Sequence, residues 1–180
     1  MYKTLVPITK ARHEGKKIRQ VQGFGFASGF HIASLMVHEF ARAASLYPVV
    51  FLEDKDKDSF RPVVLMGLDA GENLYVGPDG KWQASYVPAI IRRYPFALAS
   101  TGEQDRFTVC IDEGSELLND SEGVPLFNEQ GEPAEALENV KRYLGELQQM
   151  DAFTSEFCKY LVANNMLTPL NMRVRQSDQV

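Results

Sequence analysis

The sequence LYVGPDGKWQASYV, residues 74–87, carries the clearest secondary-structure signal in the chain. Apolar and aromatic residues stand on both sides of Gly77-Pro78-Asp79-Gly80, where proline presets φ and glycine accepts a positive φ. The pattern predicts a β-hairpin with strands over residues 74–76 and 82–87. It therefore favours an antiparallel sheet in the middle of the chain.

Further strand-like segments surround this hairpin. Residues 49–52 and 62–68 are β-branched and apolar, and residues 96–99 and 106–111 are apolar runs separated by a polar turn. Residues 88–94 predict one or two helical turns that end at Pro95. A parallel α/β sheet needs more helices between its strands than this pattern offers. We therefore expect a mainly antiparallel sheet.

Two amphipathic helices are expected to cover this sheet. From Pro133 to Leu161 apolar residues recur at three- and four-residue spacing, which predicts a long C-terminal helix and leaves open a break near Asp151. A shorter N-terminal helix is predicted over residues 36–46, before Pro48. A last strand is expected over residues 170–174. The fold class is thus α+β, with a single domain over residues 1–175 and a flexible tail over 176–180.

Length and composition indicate one soluble globular domain. The chain has 180 residues, of which 44% are hydrophobic and 24% charged, values typical of folded proteins with a sizeable core. A formal net charge of −5 argues against nucleic acid as a partner. No apolar run approaches the roughly 20 residues of a membrane span, and the first residues lack a secretory signal. We expect no membrane span and a cytoplasmic location.

No complete catalytic or cofactor motif is found in the sequence. Gly23-x-Gly25 lacks the third glycine of a dinucleotide loop, and His38-Glu39 is followed by Arg42 where a zinc-protease helix needs its second histidine. The two cysteines lie in apolar contexts typical of inert thiols, although Cys110 beside a histidine is a possible nucleophile pair. An enzyme would have to assemble its site in space. For that alternative, a metal-dependent hydrolase or oxygenase-like protein, we name His31, Glu39 and Asp112, with no metal or cofactor assigned.

Several polar residues interrupt apolar stretches and are candidates for ligand binding. Glu39 and Arg42 are three residues apart, so the spacing predicts that they pair along one helix face. Arg92 and Arg93 offer forked donors to a carboxylate or phosphate, and aromatic residues lie near them in the sequence. These residues form either an internal salt-bridge network or a ligand-binding cleft. The candidate ligand-binding residues are Arg42, Glu72, Asn73, Trp82, Arg92, Arg93 and Tyr94.

Several blocks of the sequence resemble the bacterial SapC-like family. They include FGFASGFHIASLMVHEFARAASLYPVVFLED, GENLYV, DGKW, YVPAIIRRYPFALA and VCIDEGSELL, and the resemblance runs from about Leu5 to Val174. This family is not the peptide-transporter permease of the same name, since the chain has no segment long enough to cross a membrane. The resemblance covers most of the candidate residues but assigns no catalytic role to any of them.

The resemblance implies an accessory function. The family is named for a surface-layer locus, and its members tend to be encoded near TonB-dependent receptors and tryptophan-halogenase-like proteins. It thus implies a binding or accessory protein linked to peptide or nutrient uptake or modification at the bacterial envelope, with a protein or peptide partner. A surface-layer-associated structural role is a further alternative beside the enzyme.

Overall fold

The computed structural model describes residues 2–55, 59–102 and 106–170, which form a mixed structure of helices and antiparallel sheets. The elements in chain order are β1 (Leu5–Pro7), α1 (Lys10–His13), β2 (Lys17–Ile18), β3 (Ile32–Ser34), α2 (Phe40–Ala43), β4 (Val49–Asp54), β5 (Ser59–Leu65), α3 (Ala89–Arg92), β6 (Phe96–Ser100), β7 (Phe107–Asp112), β8 (Leu118–Asn119), β9 (Val124–Pro125) and α4 (Glu135–Ala163). Single 3₁₀ turns are present at Gly25–Ala27 and Val37–Glu39. The α+β prediction is confirmed.

The strands form three small antiparallel sheets in the described part of the chain, where the sequence predicted one. Their strand orders are β1-β7-β6, β3-β5-β4 and β8-β2-β9. The predicted strands over 49–52 and 96–99 are present and extend by one or two residues, whereas β5 begins three residues before the predicted strand and ends at Leu65. The predicted pairing of residues 96–99 with 106–111 is confirmed, because Phe96 lies opposite Ile111 and Ser100 opposite Phe107.

The predicted hairpin over residues 74–87 is reduced to one bridge, between Val76 and Trp82. The Gln83 N–H donates to the Tyr75 carbonyl at 2.8 Å, and the ladder then ends. Side chains replace it, since the indole N–H of Trp82 and the hydroxyl of Tyr47 both donate to the Tyr86 carbonyl. The burial of these aromatic side chains thus overrides the local strand pattern.

Helix α4 continues without a break from Glu135 to Ala163, so an interruption near Asp151 is not observed. Just after this point the Thr154 hydroxyl donates to the Met150 carbonyl and accepts from the Val37 N–H at 3.1 Å, which connects α4 to the 3₁₀ turn. The predicted N-terminal helix is shorter than expected and consists of the 3₁₀ turn Val37–Glu39 followed by α2. The predicted last strand, apart from Leu170, and the tail over 176–180 lie outside the described residues.

Two hydrophobic clusters form the core. One lies between the β1-β7-β6 sheet and α4, where Leu144 and Leu147 pack against Phe96 and Ile111. The other surrounds β3 and β5 and is rich in aromatic side chains. Each fully buried leucine of α4 contributes about 2 kcal/mol of transfer free energy. In the residues that the structure describes, no helix is long and apolar enough to cross a membrane.

Candidate functional site

Glu39 lies at the end of the 3₁₀ turn and points into the protein, with 1% of its surface exposed. Its carboxylate accepts hydrogen bonds from the N–H groups of Met36 and Ala89, at 2.9 and 2.8 Å, and from the Tyr86 hydroxyl at 2.6 Å. The predicted pairing with Arg42 is wrong, because the carboxylate turns back to cap its own turn while Arg42 is exposed. Glu39 instead connects α2 to the segment before α3.

Tyr86 and Arg92 extend this connection toward the surface. Burial raises the pKa of Tyr86 to about 12; Glu39 adds to the increase and Arg92 opposes it. The Arg92 guanidinium lies 5.6 Å from the centre of the Tyr86 ring, a distance at which cations are attracted to aromatic faces. Its Nε donates to the Val87 carbonyl at 2.9 Å. One of its terminal nitrogens donates to the Tyr86 hydroxyl at 3.5 Å. The Arg92 side chain is otherwise exposed.

Arg93 and Tyr143 each contribute a buried polar atom that has no hydrogen-bond partner, the Arg93 Nε and the Tyr143 hydroxyl. Burial raises the pKa of Tyr143, Arg92 and Arg93 lower it, and Glu39 raises it further, so its hydroxyl lies among these charges. Arg93 also counteracts the increase that burial causes in the pKa of Tyr2, by its charge and by a hydrogen bond between the two side chains. We call Glu39, Tyr86, Arg92, Arg93 and Tyr143 the Arg93 cluster.

Neither Arg92 nor Arg93 has a carboxylate within 4.0 Å among the residues that the structure describes. Several other basic residues there are paired with carboxylates; for example, Arg12 binds both carboxylate oxygens of Glu113, and Lys16 pairs with Asp120 at 2.7 Å. Arg93 differs from the exposed arginines because it is half-buried. A buried donor without a partner is costly and rare in folded proteins, so this one requires an explanation.

A cavity of about 230 Å³ lies beside Arg93. Aliphatic side chains around it include Leu98 of β6 and Leu144 and Leu147 of α4, of which the two on α4 are buried. Polar side chains enter it from several elements and comprise Ser34, Arg93, Gln148 and Asp151. The cavity therefore has one cationic and one anionic group on a wall that is more polar than apolar.

Asp112 is placed differently and is fully buried at the end of β7. Its carboxylate accepts from the N–H groups of Lys3, Thr4 and Gly114, at 2.7–3.1 Å, and from the Tyr94 hydroxyl at 3.2 Å. Burial pushes the pKa of Asp112 up, but these hydrogen bonds outweigh it and hold the pKa below the ordinary 3.8. We call these five residues the Asp112 cluster, and it ties the N-terminal segment to the sheet.

The other candidates lie in separate environments. Asn73 is buried and donates to the Ala27 carbonyl at 2.9 Å, whereas Glu72 is exposed. Trp82 belongs to an aromatic group with Tyr47 and Tyr75 in the second hydrophobic cluster. Tyr94 stacks on Phe26 with ring centres 4.1 Å apart, and its hydroxyl points to Asp112. The structure therefore joins Arg92 to Glu39 through Tyr86 and places Arg93 beside Tyr2 and Tyr143. It directs Tyr94 and Trp82 into other contacts.

The residues named for a metal-dependent enzyme do not form a metal-binding group. Glu39 and Asp112 belong to the two separate clusters, and the backbone carbonyl of His31 accepts from the Met66 and Gly67 N–H groups beside β5. Among the described residues, no group of three histidine, cysteine, aspartate or glutamate side chains is arranged to hold a metal ion. Burial raises the pKa of Cys110, which favours the thiol over the nucleophilic thiolate.

A family model described as SapC matches residues 8–180, which is nearly the whole chain. The chain belongs to the SapC family. No curated protein and no solved structure matches it. Membership of the SapC family confirms the resemblance seen in the sequence, and the Arg93 cluster of this SapC protein lies within the matched residues.

Sequence reasoning missed Tyr143 and the α4 side of the cavity. Tyr143 precedes the buried Leu144, so it lies at the edge of the apolar helix face, and an aromatic residue with a polar tip there was the available signal. Sequence reasoning also missed His13, which is fully buried with its Nε2 3.3 Å from Glu113. The hydrogen bond and charge of Arg12 hold the pKa of Glu113 below its usual range.

Proposed function

We propose that this SapC-family protein is a binding protein without catalytic activity, and that it holds a carboxylate-bearing ligand or peptide at Arg92 and Arg93. The observation that supports this is that, in the described residues, the hydrogen-bond partners of these two permanently charged groups are neutral, namely the Val87 carbonyl and the Tyr86 and Tyr2 side chains. A guanidinium binds a carboxylate through two parallel N–H donors. A ligand carboxylate therefore supplies the charged acceptor that the described residues do not.

The position of the neighbouring groups is consistent with a binding role. Arg92 is exposed beside Arg93, so a ligand can approach one guanidinium from solvent and reach the other at the wall of the cavity. Glu39 is already saturated by three donors and holds Tyr86 in place below Arg92. It acts in this proposal as a positioning residue, and it does not contact the ligand.

The proposal includes an accessory role in peptide or nutrient uptake or modification at the bacterial envelope, as the family resemblance implies. A binding site for a carboxylate suits that role, because peptides and many nutrients carry one. The cytoplasmic location stays a prediction, which cell fractionation tests. A protein found only in the envelope fraction would contradict it.

The test is native mass spectrometry of untagged protein purified gently from the cells that produce it. We compare the wild type with the charge-reversal variant Arg92→Glu/Arg93→Glu. A matched control, Arg61→Glu/Arg142→Glu, makes the same change in net charge at two exposed arginines. We expect a bound acidic ligand or peptide on the wild type and the control, and none on the charge-reversal variant.

Two results would contradict the proposal. One is the same bound ligand on the Arg92→Glu/Arg93→Glu variant, once circular dichroism shows that this variant is folded. The other is a wild type that carries no ligand and also fails to bind any member of a panel of carboxylate-bearing peptides. A stoichiometric transition metal on the wild type would instead favour the metal-dependent enzyme.

A further inference from the structure

A larger cavity, of about 760 Å³, is an open groove between α4, β7 and the end of β1. We call it the α4 groove. Its surface is more apolar than polar, and its apolar residues, each at least partly exposed, include Ile8, Leu98, Phe107, Val109, Phe127 and Pro133. Phe107 alone keeps 44% of its surface exposed. Apolar surface that stays accessible in a folded chain often marks an interaction site.

The sheet beside the α4 groove has an uncovered edge. β1 ends at Pro7, and the Ile8 N–H still donates to the Val109 carbonyl of β7 at 2.9 Å. β7 continues to Phe107 with no strand on that side in the described part of the chain. Backbone groups alternate between the two sides of an antiparallel strand, so the Phe107 N–H and carbonyl face the side that β1 leaves open. Such an edge can pair with an added chain.

Gly145 forms part of the groove wall, in the middle of α4. Glycine is unfavourable in a helix interior, so its presence there calls for a reason. A Cβ at Gly145 would meet no other part of the described chain within 4 Å, so no contact inside the protein requires glycine. Glycine lets another backbone approach a helix closely. Gly145 therefore indicates a chain that packs against α4 from outside.

The charges of the α4 groove are opposite in sign to that of the whole chain. The chain has a net charge of −5, but among the described residues the groove is lined by Lys10 and Lys141 and by no aspartate or glutamate. Lys10 pairs with Glu14 at 3.8 Å, and Lys141 pairs with Glu138 at 2.7 Å. Both pairs are exposed, and exposed pairs contribute little to stability. A carboxylate on a docked chain can therefore replace either glutamate.

The length of the α4 groove sets the size of the segment that it holds. From Leu137 to Gln148, which both line the groove, α4 advances about 17 Å at about 1.5 Å per residue. An extended chain advances about 3.4 Å per residue, so about five residues span this length. The groove is open along it. It therefore suits a segment of a longer chain, because a small molecule bound there would stay largely in contact with solvent.

We propose that the α4 groove binds an extended, acidic segment of a partner protein as an added strand beside β7. The backbone of the segment pairs with the open edge at Phe107, which provides affinity independent of sequence. Its apolar side chains lie against the exposed apolar residues of the groove, and its carboxylates pair with Lys10 and Lys141. This inference goes beyond the proposed function, because the groove contains neither Arg92 nor Arg93.

The experiment begins with a random peptide library displayed on phage and selected on the full-length wild type. We expect enrichment of peptides that combine apolar residues with aspartate or glutamate. Fluorescence anisotropy then measures the affinity of the enriched peptides, synthesised with an amidated C-terminus. Methylation of the backbone nitrogen at alternate positions is expected to weaken binding about 10-fold, because those N–H groups face β7. No enrichment, enrichment of basic peptides, or equal tolerance of methylation at every position would overturn the inference.

Lys141→Glu tests the charge, with Lys159→Glu as a matched control. Lys159 also lies on α4 and pairs with a glutamate three residues before it, Glu156, at 2.6 Å. Both variants place two glutamates side by side on the helix, so their effects on stability are expected to be equal. We expect Lys141→Glu to bind the selected peptides about 10-fold to 100-fold more weakly than Lys159→Glu does. Equal affinities of the two variants would overturn the inference.

Gly145→Leu tests the place of binding, with Ala152→Leu as its control. Leucine favours a helix and has open space at position 145. We therefore expect a Tm equal to or above that of the wild type, together with loss of binding because the side chain blocks the groove. Ala152→Leu adds the same side chain at an exposed position of α4 outside the groove and keeps the wild-type affinity. A folded Gly145→Leu variant that still binds the selected peptides would overturn the inference.

The two proposals fail separately. If Gly145→Leu keeps the selected peptides, the inference about the α4 groove is wrong and the proposed function stands. Selected peptides that the Arg92→Glu/Arg93→Glu variant no longer binds would also contradict the assignment to the groove. If that variant keeps its co-purified ligand, the proposed function is wrong whatever the peptide selection shows.

Discussion

The Asp112 cluster and the Arg93 cluster each contain buried polar atoms, and they differ in how well the hydrogen bonds of those atoms are satisfied. The Asp112 carboxylate accepts from four donors, three of them backbone N–H groups. The Arg93 Nε has no acceptor, and neither does the Tyr143 hydroxyl. A saturated charge stabilises the fold and leaves no capacity for a ligand, whereas an unsaturated one retains that capacity.

The largest effect is expected from Asp112→Asn. The amide group presents an N–H₂ where the carboxylate accepted hydrogen bonds, so donors of the N-terminal segment lose their partner in a buried site. We expect the free energy of unfolding to fall by about 3 kcal/mol. Urea denaturation measures it, with Asp69→Asn as an exposed control. A loss below about 0.5 kcal/mol, typical of surface substitutions, would contradict a structural role for Asp112.

The difference in stability between the wild type and Asp112→Asn is also expected to depend on pH. Burial raises the pKa of Asp112, but its hydrogen bonds together lower the pKa by more than burial raises it. The folded-state pKa therefore lies below the unfolded value of 3.8. The contribution of the Asp112 carboxylate to the free energy of unfolding is therefore fully present above the unfolded pKa, and it is lost as the pH falls through the lower folded-state pKa. We expect the stability gap between wild type and Asp112→Asn to be constant from neutral pH to about pH 5 and to shrink below about pH 4. A difference in stability that grows on acidification would show that folding raises the pKa of Asp112, contrary to this account.

Glu39→Gln is expected to cost less, about 2 kcal/mol, because the amide oxygen still accepts from one or two of the three donors. It also lowers the pKa of Tyr86 from about 12, although burial, the larger cause, keeps that pKa above the ordinary 10.0. Ultraviolet titration of the phenolates measures this, and Tyr86→Phe identifies which phenolate changes. An unchanged Tyr86 pKa would show that Glu39 does not contact it in solution.

Trp82→Phe tests whether Trp82 belongs to the core or to the binding surface that the sequence suggested. The indole N–H donates to the Tyr86 carbonyl and the Tyr47 hydroxyl, and that carbonyl keeps the Tyr47 donor after the substitution. We expect a loss of about 1 kcal/mol in the free energy of unfolding and unchanged affinity for the carboxylate-bearing peptides. Reduced affinity with unchanged stability would assign Trp82 to the binding surface.

The sequence predicts elements whose contacts are local better than those fixed by distant partners. The long helix and the hairpin between β6 and β7 follow from periodicity and a polar turn. The hairpin over residues 74–87 has the right turn, but Tyr47, distant in sequence, bonds the Tyr86 carbonyl and ends the ladder. Local propensity contains no information about such a partner.

In the candidate site, too, the sequence predicts local features better than contacts with distant residues. Arg92 and Arg93 were recognised because charges inside apolar stretches are conspicuous, and Glu39 for the same reason. Its pairing with Arg42 was wrong, since helical spacing does not reveal that Tyr86 and the Ala89 N–H bind the carboxylate instead. Asp151 and Gln148 contribute to the cavity only because α4 packs beside α3 and β6, which no local pattern shows.

The smallest change in stability is expected from Arg93→Met, and this variant tests the central claim most directly. Methionine is unbranched and apolar, and replacing buried charged groups by apolar residues of similar volume is often neutral or stabilising. We measure the free energy of unfolding by urea denaturation and the affinity for the carboxylate-bearing peptides by calorimetry on the same preparation. The account predicts a stability within about 1 kcal/mol of the wild type, or higher, together with complete loss of binding. A loss of stability as large as that of Asp112→Asn, or unchanged binding, would show that Arg93 supports the fold and does not bind a ligand.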